Sequence, residues 1–391
     1  MKEFSIYVNS AEKMEKAQRR KKFYRIYRSV LGIAIVILLF FCFIAYQYRE
    51  FHSFHREKTI IEEGMSSESM ESYKNGIIKY SENQIAYYNS AGTKEWSKTY
   101  SISNPHIKIC GDYIMVADLK GTQILVFNQK GEKHKISTAY SITDAEIAEQ
   151  GVIAVALAAK NTNYIELYNL SQEKLVSIQT SIDENGYPLD ISLSPNGEIL
   201  CASYFIVDGV ETKNRLTFYD FSEDGKRTEN ILGGFDYDNT IVPTVAFIKK
   251  DTVLAFGDDK ISVYHIGSKP KLIKEIAIQS SIKSIAYDKD HFAIVRERYT
   301  DESEGNYTLE VFSKNGNKVG NCSIDDDYTS MNLYGNKIIL NSAYHSMIVN
   351  TNGKKIFDYN FSKHLIRMIP GKKSNIFFTA YEDRLDMIKL K

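Results

Sequence analysis

The chain has 391 residues, with 49 Lys and Arg against 49 Asp and Glu. Residues 1–28 hold nine of the basic and three of the acidic residues, which leaves 40 basic against 46 acidic for the remainder. A large region of net negative charge has no electrostatic reason to seek a polyphosphate, so nucleic acid is excluded as a partner.

Residues 1–28 predict a short cytoplasmic arm that ends in a basic helix. Asn9, with Glu12 three places on, has the form of a helix N-cap pair. Arg19, Arg20, Lys21 and Lys22 stand beside Phe23, Tyr24 and Tyr27, a composition suited to anionic headgroups, where each basic residue contributes about 1 kcal/mol.

The stretch Ser29 to Tyr48 carries no charge between Arg28 and Arg49, and twelve of its twenty residues are Val, Leu, Ile or Phe. At about 1.5 Å per residue it spans roughly 30 Å, the thickness of a hydrocarbon core. Basic residues crowd its N-terminal flank, so the expected arrangement is a single-pass cell-membrane helix with the N-terminus in the cytoplasm and residues beyond 49 outside. A cleaved signal peptide would have a shorter apolar core and small residues at its exit, where this chain reads Phe43-Ile44-Ala45-Tyr46-Gln47. Cys42 follows Phe41 rather than the small residue of a lipoprotein site.

Residues 49–57 read as a stalk and 64–72 as a polar stretch. From there short apolar runs alternate with Gly, Asn, Asp and Ser turns and no helical period is sustained, which predicts an all-β domain over 58–391. One hairpin recurs, as YYNSAGTKEW at 87–96, VFNQKGEKHKI at 126–136, LYNLSQEKLV at 167–176, FYDFSEDGKR at 218–227, VYHIGSKPKLI at 263–273, VFSKNGNKV at 311–319 and IVNTNGKKIF at 348–357. Its strand ends recur at 37 to 51 residues, the length of a four-stranded propeller blade, with two more strands upstream of each hairpin. The count is seven full blades and a partial eighth ending near Ile388, so the fold expected is an eight-bladed β-propeller, with seven blades as the alternative. A three-stranded last blade would leave a bare edge. The unassigned run KTIIEE at 58–63 is therefore expected to supply its outer strand.

That closure brings the stalk to the face carrying the turns between first and second strands and between third and fourth strands. Those turns are rich in lysine, such as Lys130, Lys269, Lys271 and Lys354, which would lie near the bilayer. The opposite face collects the longest loops and most of the clustered acids, and its candidate interaction surface is Asp208, Glu211, Asp236, Asp238, Asp301, Glu302, Asp325 and Asp326.

The hairpin NSAGTKEW at 89–96 resembles the Gly-x-x-x-Trp turn of quinoprotein-like propellers, and SPNGEIL at 194–200 resembles the strand-joining turn of WD-type and peptidase-type propellers. As a whole the chain is similar to an uncharacterised family of membrane-tethered propellers of low-GC Gram-positive bacteria, a domain of unknown function. That resemblance implies a fold and a location, and no activity or functional residues. Only Trp96 keeps the tryptophan of the turn.

Adjacent cysteines and repeated tryptophans of quinoprotein enzymes are missing, as is a G-x-S-x-G elbow. Cys110, Cys201 and Cys322 match no zinc or redox spacing and read as buried single thiols. The expectation is a non-catalytic module without cofactor or metal. Its partners would be the lipid bilayer and an unidentified envelope protein or wall glycan. A calcium- or glycan-binding module, or an enzyme using paired carboxylates on wall polysaccharide, is the alternative.

Overall fold

A computed structural model describes residues 2–47, 49–61, 69–208, 211–298, 306–325 and 327–391. The chain divides into two compact units, Met1–Glu50 and Phe51–Lys391.

The first unit is one helix, Lys2–Gln47. It passes through Asn9 without a break, so Asn9 and Glu12 are helix interior and not a cap. No Pro or Gly occurs before Gly32, and once a helix is nucleated each further residue adds a backbone hydrogen bond. Within it, Lys22–Phe41 has a mean hydropathy of 1.8 with none of it buried, and is long and apolar enough to cross a membrane.

The second unit is a β-propeller. Among the described residues it holds eight four-stranded antiparallel sheets, each with its strands, A to D, side by side in order. Blade 1 is typical: Ser69–Tyr73, Gly76–Tyr80, Gln84–Tyr88 and Lys94–Thr99. The A strands face the central axis, and those of blades 2 to 5, of blades 6 and 7, and of blades 8 and 1 touch their neighbours there. Apolar clusters fill the gaps between neighbouring blades: Ile78, Ile85 and Tyr87 of blade 1 pack with Ile114, Val116 and Phe127 of blade 2. Sheets covered on both faces explain why the B and C strands read as unbroken apolar runs instead of alternating.

Blade 8 is assembled from both ends of this unit. Its A, B and C strands are Leu365–Pro370, Ile376–Tyr381 and Arg384–Leu390, and its D strand is Phe54–Ile61. The ring therefore has eight blades, not seven, and is closed by the segment that follows the helix. That strand begins at Phe54 rather than Lys58. The extra residues have partners: Phe54 lies opposite Leu390 and packs on Tyr359 and Phe361, with ring centroids 5.1 and 5.6 Å away. Even Phe51 is held, donating from its amide to the Ile356 carbonyl at 2.8 Å. Arg56 pairs with Ile388, Ile60 with Leu385 and Ile61 with Arg384. Glu62 and Glu63 of the expected strand lie outside the described residues.

The recurring hairpin has a local cause. Asn89, Asn128 and Asn169 each stand at the end of a C strand, and each side-chain oxygen accepts two backbone N–H groups of its own turn. Such Asx turns fix the reversal before the D strand begins. The glycine in the turn serves the neighbouring blade. Gly131 has φ +75°, and a Cβ there would lie 2.9 Å from the ring of Trp96 on blade 1, whose Nε1 donates to Gln129 O at 2.9 Å. At the closure Ile60 takes the place of the tryptophan: a Cβ on Gly92 would meet its Cδ1 at 2.8 Å. The borrowed strand thus completes blade 8 and docks on blade 1.

A buried carboxylate with two partly exposed arginines clips it in place. Asp386, 1% exposed in its side chain, accepts from Thr59 Oγ1 at 2.7 Å and pairs with Arg56 at 2.8 Å and Arg384 at 3.0 Å. Asp386→Ala removes the one acceptor shared by Thr59, Arg56 and Arg384 and should lower the unfolding free energy by roughly 2 kcal/mol. The measurement is the urea midpoint of the propeller, and an unchanged midpoint would contradict the clip.

Candidate functional site

Two features of the ring carry unusual chemistry. The first is its central channel. Each A strand is the inner edge of its sheet and leaves N–H groups without a strand partner. Side chains of the preceding blade satisfy several of them. Asp144 of blade 3 accepts from the Ile191 amide of blade 4 at 3.0 Å, and Asp190 of blade 4 accepts from the Val245 amide of blade 5 at 2.7 Å. Ser192 likewise accepts from the Phe247 amide at 2.9 Å. Both aspartates directly follow a register shift in their A strand, between Ile142 and Asp144 and between Pro188 and Asp190. The extra residue of a bulge turns the next side chain off its regular course. The same shift precedes Arg367 of blade 8, whose guanidinium donates to Glu71 of blade 1 at 2.6 Å and to Asn332 of blade 7 at 2.8 Å.

Between blades 2 and 3, Lys108 pairs with Glu146. Burial pushes the Glu146 carboxyl up to about 7 in spite of Lys108. Asp190 is raised by burial and by the nearby Asp144 carboxylate. His106 is lowered by burial and by Lys108, and its Nε2 stays 3.8 Å from Asp144. Tyr287 of blade 6 is raised to about 12, chiefly by burial. The channel is thus laced by charge-assisted contacts from blade to blade. Among the described residues no three His, Cys, Asp or Glu lie close enough together to hold a metal ion.

The second feature is the face formed by the loops between B and C strands and between one blade's D strand and the next blade's A strand. Asp208 and Glu211 stand opposite each other at the tip of the ten-residue B and C strands of blade 4, Ile199–Asp208 and Glu211–Asp220. Asp236 and Asp238 are on the D strand of the same blade. Asp236 accepts from Arg215 at 2.6 Å, and that hydrogen bond holds its carboxyl below the usual range. Asp238 lies in register with Lys213. Asp325 is exposed just after the D strand of blade 6, away from these four. Asp301, Glu302 and Asp326 lie outside the described residues. On the helix, Arg19, Arg20 and Lys22 are exposed, and the Lys21 side chain is not described.

The model of a family of unknown function, DUF5711, matches residues 47–390. The chain belongs to this family. No curated protein matches the sequence at a significant level. Among solved structures, BamB from Moraxella catarrhalis is similar to this DUF5711 chain with a TM-score of 0.53 and 11% identity, over 86% of this chain and 100% of that one. A eukaryotic initiation factor gives 0.50 and 13% identity, over 85% and 84%. Sqt1 from Chaetomium thermophilum, solved bound to the N-terminus of ribosomal protein L10, gives 0.49 and 12%, over 81% and 94%. At these identities the likeness to BamB and to the initiation factor shows a shared fold and nothing of ligands.

Sequence reasoning about this DUF5711 chain located loop acids and missed two things. One is the channel set Lys108, Asp144, Glu146, Asp190 and Arg367, whose signal is a charge inside an otherwise apolar A strand, as in HIKIC and LIRMI. The other is a group of exposed apolar side chains on the face of blades 3 to 5: Tyr140, Tyr187, Leu189, Val207 and Ile241. Tyr140 stacks on Tyr164 at 5.0 Å between centroids. In sequence these cannot be told from core residues.

Glu146 titrates near 7 when folded, against an ordinary value of 4.5. The folded ring therefore holds the extra proton between these values, and its stability falls as pH rises through that window. Relative to Glu146→Gln, the unfolding free energy of the unaltered chain should fall by roughly 2–3 kcal/mol from the acidic to the neutral end of it. Urea titrations across that range test this, and parallel profiles for the two proteins would contradict it.

Proposed function

We propose that this chain is a non-catalytic interaction module of the cell envelope. The Lys2–Gln47 helix anchors it with the N-terminus in the cytoplasm, and the propeller stands outside and binds a basic, partly apolar protein. The observation that carries this reading is the composition of one face over blades 3 to 5. Tyr187 and Val207 are 53% and 59% exposed there. They stand among the carboxylates Asp183, Glu184, Asp238 and Asp258.

Exposed apolar side chains rimmed by charge are the composition of a partner site. The aliphatic members would bury against a partner's apolar side chains, while the acid rim steers basic partners and repels acidic ones. The aliphatic share favours a protein over a wall glycan, which would be met by aromatic rings and hydrogen-bonding groups alone. Orientation of the anchor rests on the crowding of Arg19, Arg20, Lys21 and Lys22 on the N-terminal flank. A rigid ring held by inter-blade contacts loses little entropy when it binds.

A photo-crosslinking amino acid at Val207 or Ile241, in intact cells, should yield a discrete protein adduct. The same residue at Lys130 or Lys271 should not. Adding Tyr187→Asp to the Ile241 probe should reduce the adduct about tenfold, the loss of one anchor aromatic. Equal adducts from both sets of positions, or none from Val207 and Ile241, would contradict the reading.

A further inference from the structure

The turns between A and B strands and between C and D strands emerge on the opposite face of the ring, and their charge is of opposite sign. Exposed lysines stand at the C–D turns of blade 2, Lys130 and Lys133, and of blade 5, Lys269 and Lys271. The A–B turn of blade 8 adds Lys372 and Lys373. Several acids on this face are ion-paired locally, Glu223 with Lys226 at 2.7 Å, Asp224 with Arg227 at 3.5 Å, Asp290 with Lys249 at 3.1 Å and Asp112 with Lys74 at 2.5 Å. Glu132, Glu173 and Glu198 instead accept from asparagines of their own turns and keep their charge. None of the six exposed lysines has an acidic partner within 4 Å among the described residues. The turns of blades 2, 5 and 8 thus present more lysine than acid to whatever lies outside the ring.

Connectivity says what that is. The closing strand starts at Phe54, opposite Leu390 at the C–D end of blade 8, so the chain enters the propeller on this same face. Phe51 is already bonded to Ile356 beside the C–D turn of blade 7. The helix ends at Gln47, four residues before Phe51 in the chain.

We propose that the face carrying the A–B and C–D turns rests on, and is held by, the anionic phospholipid headgroups of the membrane that the helix crosses. This rests on the membrane-anchored reading above. Each lysine close to an anionic surface contributes about 1 kcal/mol, within a screening length of about 8 Å. The tether makes the contact intramolecular, so weak individual attractions suffice. The acidic loops of the other face are repelled by the same surface. One field therefore selects which side meets lipid and leaves the other for a protein.

The test uses the full chain in nanodiscs of phosphatidylglycerol or of phosphatidylcholine, treated with a water-soluble acetylating reagent and read lysine by lysine by mass spectrometry. In phosphatidylglycerol, Lys130, Lys271 and Lys372 should react roughly three- to tenfold more slowly than in phosphatidylcholine, and high salt should remove the difference. Lys120 and Lys160, on the B–C loops of blades 2 and 3, should react equally in both. A chain carrying Lys130→Glu, Lys271→Glu and Lys372→Glu should lose the protection of its remaining turn lysines, Lys133, Lys269 and Lys373. Insertion with lipid-independent labelling, or protection of Lys120 and Lys160 instead, overturns this proposal alone. Failure of the helix to insert overturns the anchored reading and this proposal with it.

Discussion

A ring of sheets is stable only if its last gap is shut. Seven blades of this propeller are sequential four-stranded hairpin arrays, but blade 8 receives only three strands from the C-terminal end and would expose the unpaired edge of Arg384–Leu390. Such an edge both wastes hydrogen-bonding capacity and templates association with other chains. Phe54–Ile61 fills it, and the inter-blade apolar clusters then run without interruption from blade 8 into blade 1 through Phe378, Leu385, Met70 and Tyr88. Because the closing strand lies next to the helix in sequence, closure also fixes the face on which the chain enters the ring.

The channel shows the same logic at smaller scale. Inner-edge amides of blades 4 and 5 are capped by carboxylates sent from the blade before, and Arg367 links three blades. Arg367 is held by Glu71, Asn332 and the Met70 carbonyl together, the condition under which a buried charge is tolerable in a low-dielectric interior. Glu146 and Asp190 are the exceptions, their carboxyls pushed up chiefly by burial. Both faces can then differ in charge without straining the core, since the core is set by blade packing and the faces by turns and loops.

Much of this was legible in the sequence because the repeat is local. An Asn or Asp at the end of a C strand, a small turn residue, and an apolar run on each side recur because each hairpin solves the same reversal, as at Asn89, Asn128 and Asn169. The closing strand could be inferred from the missing edge, although its start could not: Phe54 belongs to the strand through contacts with Tyr359 and Phe361, three hundred residues away. Asn9 looked like a cap because capping is read from residue type, whereas a cap forms only where the helix ends. Lys108 with Glu146, and Tyr187 with Val207, were illegible for a related reason. Pairs brought together across sheets or strands leave no periodic trace along the chain.

Amide hydrogen exchange of the full chain under native conditions tests the ring closure most directly. The account predicts that the amides of Phe54–Ile61 exchange as slowly as those of Arg384–Leu390 and only with unfolding of the whole ring, since both belong to one sheet. Exchange of Phe54–Ile61 at the rate of an unprotected peptide, with Arg384–Leu390 still protected, would show that the strand is not the latch.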